Sequence, residues 1–383
     1  MDFGFTAEDE AFRSEARGWL SAHADPDADR REWERTLGAA GWIGLGWREA
    51  GYGNRTVPLT QQVVWAEEYA RSPAPPRSGH IGENLLAPTL IAHGTQEQKA
   101  RFLPPVAAGE ELWCQGYSEP GAGSDLAGVR TAAVRDGDGY RITGQKIWTS
   151  LAHEADWCFV LARTQAGSRR HHGLSFLLVP MDQPGRIEVR PIRQLTGTSD
   201  FNEVFFDGAH ARAEHLVGDE GGGWQVAMSL LGFERGVATL AQQIGFAAEL
   251  GQVLRTAVET GAADDPVLRD RLVRQWAELR TMRWNALRTL GRTGAQPGAA
   301  AVAKLLWAGW HQRLGELAVE VRGAGATVGP SDWTTTTPYE LDAAQRLFLF
   351  SRADTIYGGS DQIQRTIIAE RVLGLPREPK GAV

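Results

Sequence analysis

The chain has 383 residues, with 40 Lys and Arg against 47 Asp and Glu, a formal net charge of −7. That length suggests two or three domains and a sizeable apolar core without disulfide or metal staples. The charge balance leaves no basic footprint, which excludes nucleic acid as the main ligand. No apolar run approaches the roughly 18 residues of a membrane span. The acidic start, MDFGFTAEDEAF, has no secretory pattern, so a cytoplasmic protein is expected. Cys114 and Cys158 stand apart with no CxxC, so neither a disulfide framework nor a zinc site is indicated.

Residues 1–110 read as helical. Thr6 precedes Ala7-Glu8-Asp9, an N-cap hydroxyl with acids in the first turn, and Phe12, Ala16, Trp19 and Leu20 follow at helical spacing. Gln61 to Ala70 and Leu85 to His93 continue the pattern, with Pro73, Pro75, Pro76 and Pro88 as breaks. Over 111–220 the texture changes to short β-prone runs: Leu112 to Tyr117, Tyr140 to Thr143, Trp157 to Ala162, Leu174 to Val179 and Val204 to Phe206. Asp136-Gly137-Asp138-Gly139 between two of them signals a hairpin, and the domain reads as antiparallel β. Over 221–383 the helical period returns, in Trp224 to Thr260, Pro266 to Thr293, Ala299 to Arg322 and Pro338 to Asp354, four long helices. The fold class is therefore α+β: an N-terminal helical domain, a central antiparallel β domain and a C-terminal four-helix bundle.

Three motifs fail their structural context. Gly323-Ala-Gly325 follows a helix, not the strand a dinucleotide fingerprint needs. Gly116-Tyr-Ser118 lacks the last glycine of a nucleophile elbow. His171-His172 sits in a polar loop, where a solvated turn is the simpler reading.

Two stretches carry chemistry. Gln115-Gly-Tyr-Ser-Glu-Pro-Gly-Ala-Gly-Ser-Asp125 places a hydroxyl, an acid and three glycines at a strand exit. Small residues let backbone approach a bulky ligand, although a plain glycine-rich turn reads equally well. Gly144-Gln-Lys-Ile-Trp-Thr-Ser150 sets a Trp beside two hydroxyls, a stacking surface with donors at its edge. A core Trp is the alternative, since the chain has 14.

Together these stretches resemble the acyl-CoA dehydrogenase family. Asn202-Glu-Val-Phe-Phe-Asp207, Val217-Gly-Asp-Glu-Gly-Gly-Gly-Trp224 and Ile356-Tyr-Gly-Gly-Ser-Asp-Gln-Ile-Gln-Arg365 match its signatures in order, over essentially the whole chain. The resemblance implies FAD bound between the β domain and the C-terminal bundle, and removal of an α-proton and a β-hydride from an acyl-CoA. By the same resemblance Ser118 lies near the pyrimidine edge of the flavin, Trp148 against the isoalloxazine and Ser150 near N5. Gln115, Thr149, Ser360 and Gln362 complete the cofactor-facing set. Ser124 matches a position near the pantetheine arm and Gly359 one that meets substrate.

The sequence departs from the pattern at the base. Where many members carry Glu after the Tyr of the Ile-Tyr motif, this chain has Gly358. Glycine keeps the N–H that the family uses to hold the thioester oxygen. The isovaleryl-CoA dehydrogenase branch carries its base earlier, and Gly232-Phe-Glu-Arg-Gly236 aligns there. Glu234 is thus the expected base, with Arg235 beside it in a substrate-binding position. Loss of a side chain at 358 suggests a branched, cyclic or bulky acyl group.

A second departure concerns the adenine end of FAD. Glu259-Thr-Gly-Ala-Ala263 replaces an Arg-x-x-Phe-Gly stretch, and Glu320 replaces a Gln facing the neighbouring subunit's diphosphate. A carboxylate there is unfavourable. The expected partners are an acyl-CoA or carrier-protein thioester, an electron-transfer flavoprotein, and either a homo-oligomer or a second, unlike dehydrogenase subunit. A non-catalytic partner subunit and a flavin monooxygenase or oxidase on the same fold are the alternatives.

Overall fold

The computed structural model describes residues 5–233, 238–290, 298–328 and 341–377. The chain divides into two compact units, one formed by Phe5–Gln194 with Ser199–Gly236, the other centred on Leu195–Thr198 and Val237–Val383.

The first unit opens with helices. α1 (Ala7–His23) starts at a capping box in which the Thr6 hydroxyl accepts from the Asp9 N–H and the Asp9 carboxylate accepts from the Thr6 N–H. α2 (Arg30–Ala39) is capped by Asp29, and α3 (Leu59–Arg71) follows. A π-helical turn at Gly82–Leu86 runs into α4 (Ala87–His93), so Pro88 does not break this helix. The Ala87 N–H reaches back to the Gly82 carbonyl, and the wider π turn carries the run past a proline that has no N–H to donate. α5 (Gln96–Ala107) contains Pro104 and Pro105 and so has no clean periodicity to read.

The strands are β1 (Trp113–Gly116), β2 (Ala132–Asp136), β3 (Gly139–Ser150), β4 (Trp157–Arg163), β5 (Leu174–Pro180), β6 (Ile187–Ile192), β7 (Phe201–Arg212) and β8 (Leu216–Val217). They form one sheet in the order β6-β7-β3-β2-β4-β5-β8, with β1 beside β4. Pairing is antiparallel except between β1 and β4 and at Ala132↔Arg163 between β2 and β4. The β2–β3 hairpin closes at Asp136↔Gly139, with Gly137 left-handed at φ 59°. Alternate residues of β4 face two cores. Phe159 and Leu161 join Phe102, Trp113 and Phe176, and Cys158 and Val160 join Tyr140, Ile142 and Val204. Burial on both faces is why β4 and β5 read as unbroken apolar runs. Cys114 and Cys158 are register partners, both buried. α6 (Gly223–Phe233) closes the unit, adding Val226, Ala227 and Leu230 to the first core.

In the second unit, α7 (Ala238–Glu259), α8 (Pro266–Leu290), α9 (Ala299–Glu320) and α10 (Ala343–Ser351) pack around Phe246, Leu250, Leu272, Leu279, Trp310 and Leu314. α11 (Asp361–Ile367) follows. The expected single run Trp224 to Thr260 is described as α6 and α7, with residues 234–237 outside the described set. No helix among the described residues is long and apolar enough to cross a membrane.

Candidate functional site

The two sequence motifs of the β region meet through backbone and charge. The Ile147 N–H donates to the Ser118 carbonyl at 2.9 Å. Beside it, Lys146 is fully buried, and its Nζ donates to the Tyr117 carbonyl at 3.0 Å, the Leu161 carbonyl at 2.8 Å and Glu119 Oε1 at 2.9 Å. Three acceptors use all three ammonium protons. Burial pulls the Lys146 pKa below its ordinary value, with Glu119 opposing. Burial also works to raise the Glu119 carboxyl, but Lys146 and the N–H groups of Arg130 and Thr131 hold it below the usual range. The acid of the first motif therefore does not face a ligand. It turns inward and pins the loop after β1 to β3.

β3 then bulges between Lys146 and Thr149, where its register on β7 shifts. Trp148 sits in this bulge with φ 60°, the residue 57% exposed and its ring edge-on to Phe201 at 6.3 Å. A bulky residue in left-handed backbone costs about 1–2 kcal/mol. The conformation is held on the far side by Asn202, whose side chain donates to the Thr149 carbonyl at 3.0 Å, and by the Leu151 N–H, which donates to the Asp200 carbonyl. Thr149 is fully buried, and its Oγ1 has no hydrogen-bond partner among the described residues. Gln115, Ser118 and Ser150 are half-buried. Ser124 is exposed on the glycine-rich loop, which closes through paired bonds between Glu119 and Ala122. A Cβ on Gly121 or Gly123 would meet nothing within 4 Å, so the chain's own packing does not demand glycine there.

In the helical unit, Gly358 and Gly359 are consecutive left-handed residues, at φ 63° and 88°. Ser360 caps α11, its hydroxyl accepting from the Ile363 N–H, and Gln362 is exposed one turn on. A Cβ at 358 would stand 3.7 Å from Lys304 Nζ, and one at 359 would strike Gln364 at 2.4 Å. Both positions favour glycine by backbone conformation, and at 359 the Gln364 amide would also have to shift. Asp354 precedes this turn, fully buried, and accepts from His311 Nδ1 at 2.6 Å and the Tyr357 hydroxyl at 3.0 Å. Glu320 pairs with Arg271 at 2.6 Å.

Glu234 and Arg235 lie outside the described residues. Sequence reasoning missed the structural roles of Lys146, Asn202, His311 and Asp354. A signal existed for Lys146, which shares the inward parity of Tyr140 and Ile142 along β3. Among the described residues, no group of His, Cys, Asp and Glu is placed to hold a metal ion.

Comparison with known proteins gives three family matches in chain order. The family profile "Acyl-CoA dehydrogenase, N-terminal domain" matches residues 6–110, the middle-domain profile 114–209 and the C-terminal-domain profile 221–373. The chain is 54% identical over 390 residues to acyl-CoA dehydrogenase IpdE1 of Mycobacterium tuberculosis, covering 97% of this chain and 99% of that one. Among solved structures it is similar to the Tcur3481-Tcur3483 steroid ACAD, with TM-score 0.86 and 29% identity over 99% of this chain and 100% of that one. It is also similar to a chain of the ChsE4-ChsE5 complex from Mycobacterium tuberculosis, with TM-score 0.83 and 30% identity over 98% and 100%.

Proposed function

The chain belongs to the acyl-CoA dehydrogenase family, and from that premise we propose that it uses FAD to introduce an α,β double bond into a bulky acyl thioester, with Glu234 as base. It is an enzyme, an oxidoreductase acting on CH–CH groups. The proposed division of labour follows three segments, 1–110, 111–220 and 221–383, in a cytoplasmic protein passing electrons to an electron-transfer flavoprotein.

The observation that carries the cofactor reading is the Ile147-to-Ser118 bond, which gathers Ser118, Trp148, Thr149 and Ser150 on one part of the sheet. An exposed indole held in strained backbone fits the face of a flat heteroaromatic ring. Gln115 joins this set, and Ser360 and Gln362 match cofactor-facing positions of the family by sequence. FAD, when bound, supplies the hydride acceptor. The protein's own work is to hold the thioester and move the α-proton. In this reading the Gly358 N–H donates to the thioester oxygen, stabilising charge as the proton leaves. The Glu234 carboxylate takes the α-proton. Ser124, Arg235 and Gly359 orient the acyl-CoA.

A glycine at 358 leaves room beside the reacting carbons, and a steroid-type or otherwise cyclic acyl group suits that space. Heteromeric assembly is the second reading. Glu320 stands where relatives direct a Gln at a neighbour's diphosphate, and here it is engaged by Arg271. A chain that does not complete its copy's flavin site calls for an unlike partner.

The test is anaerobic absorbance of the purified chain, alone and with a co-expressed partner, titrated with straight, branched and polycyclic acyl-CoAs. Bleaching of a yellow protein by polycyclic thioesters, lost in Glu234→Gln, is the expected result. A straight-chain preference would sink the bulky-substrate reading, and a colourless isolated chain would favour the partner-subunit one.

A further inference from the structure

The helical unit contains a row of ionisable groups, running from a buried Asp354 to a partly exposed Glu249, that the reaction described above does not use. His311 on α9 meets Asp354 through Nδ1 at 2.6 Å and Glu249 on α7 through Nε2 at 2.9 Å. His311 and Asp354 are buried. Such groups are costly inside a helical bundle unless mutually paired, and apolar residues would fill the space at least as well. Their arrangement therefore calls for an explanation other than stability.

What they hold is the turn before Gly358. α9 grips it three times: Lys304 donates to the Asp354 carbonyl at 2.6 Å, His311 bonds the Asp354 carboxylate, and Gln312 donates to Thr355 Oγ1 at 3.1 Å. The Tyr357 hydroxyl closes a ring onto Asp354 at 3.0 Å. From the other side Gln364 of α11 donates to the carbonyls of Gly358 and Gly359, at 3.4 and 3.2 Å. Two consecutive glycines have wide conformational freedom. A hydrogen-bond donor aimed at a reacting oxygen must be placed to within about 0.5 Å. A turn of this composition needs fixing from outside itself.

We propose that the Glu249–His311–Asp354 relay is a positioning device that sets the direction of the Gly358 N–H. The proposal rests on the reading of that N–H as the donor to the thioester oxygen. His311, Asp354 and Glu249 are positioning residues, acting only through the turn. The charge on His311 serves the same end, since a ring protonated at both nitrogens donates to both carboxylates at once.

The test uses the full-length flavoprotein with any subunit that co-purifies, as wild type, His311→Gln, Asp354→Asn and Tyr357→Phe. The last removes one hydroxyl and serves if a buried-charge variant does not fold. Hydrogen exchange of the peptide over 352–360 should quicken tenfold or more in the variants, with α7 and α8 unchanged. Binding is compared for cyclohexane-1-carbonyl-CoA and for S-(cyclohexylmethyl)-CoA, a thioether without the carbonyl oxygen. The variants should lose tenfold or more for the thioester and less than twofold for the thioether. Unchanged exchange, or equal losses for both ligands, overturns the relay. A wild type that does not distinguish the two ligands overturns the Gly358 reading and the proposal with it. A wild type that does, with variants that keep the distinction, overturns the relay alone.

Discussion

Lys146 Nζ lies 2.9 Å from Glu119 Oε1, the lysine fully buried and the glutamate nearly so. This pair joins the loop after β1 to the middle of β3, beside the backbone bond from Ile147 to Ser118 that brings the two motifs together. Replacing Lys146 with Met leaves a carboxylate and two carbonyls without their donor. The expected cost is about 3–5 kcal/mol in urea unfolding, the range for breaking a buried pair. Adding Glu119→Gln should recover part of that loss. A Lys146→Met protein as stable as wild type would remove the pair from this account.

Trp148 pays for an unusual backbone with an exposed ring. Trp148→Gly relieves a left-handed residue while removing the indole, so unfolding stability should hold or rise by up to about 1 kcal/mol. FAD affinity should fall at least fivefold, about 1 kcal/mol of lost aromatic contact. Release of FAD followed by its fluorescence measures this. Unchanged affinity would mean that the ring faces something else.

Thr149 permits a crossed experiment. Its buried hydroxyl has no partner, so Thr149→Val should stabilise the cofactor-free chain by about 1 kcal/mol. If that hydroxyl bonds FAD, the same change should weaken FAD about tenfold. Opposite signs in the two measurements support the assignment. A loss in neither, or a destabilised apoprotein, counts against it.

His311 makes stability depend on alkali. Burial disfavours its charge, but the bonds to Asp354 and Glu249 outweigh this and lift its pKa to about 9. A raised pKa means the native state holds the proton more tightly than the unfolded chain, whose ordinary value is about 6.5. The contribution is complete below that ordinary value and is lost as pH rises through about 9. It amounts to on the order of 3 kcal/mol. Unfolding free energies of wild type and His311→Gln, compared from pH 6 to 10, should converge as pH rises. A constant difference would show that the ring is not charged in the fold.

Local chemistry explains what was readable in advance. The Thr6–Asp9 box starts α1 within four residues, and the Asp-Gly pairs turn β2 into β3. The apolar runs of β4 and β5 announce strands buried on both faces. α5 was not legible, because Pro104 and Pro105 interrupt the signals used to find helices. Pro88 reads as a break, yet the helical run passes through it, because a π turn ahead of a proline leaves no periodic mark in the sequence. In the first motif the sequence shows an acid beside small residues, and only the structure reveals that Glu119 is engaged by the buried Lys146.

The succession of a helical, a β-rich and a second helical region therefore followed from the sequence alone, since caps, turns and side-chain periodicity act over a few residues, and the ordered motifs supplied the family by resemblance. Which groups meet was decided only by the tertiary structure. Lys146 reaches Glu119 across 27 positions, Asn202 reaches Thr149 across 53, and His311 reaches Asp354 across 43. Each contact depends on strand register or helix rotation, set by the burial of many apolar side chains at once, which no short stretch of chain specifies.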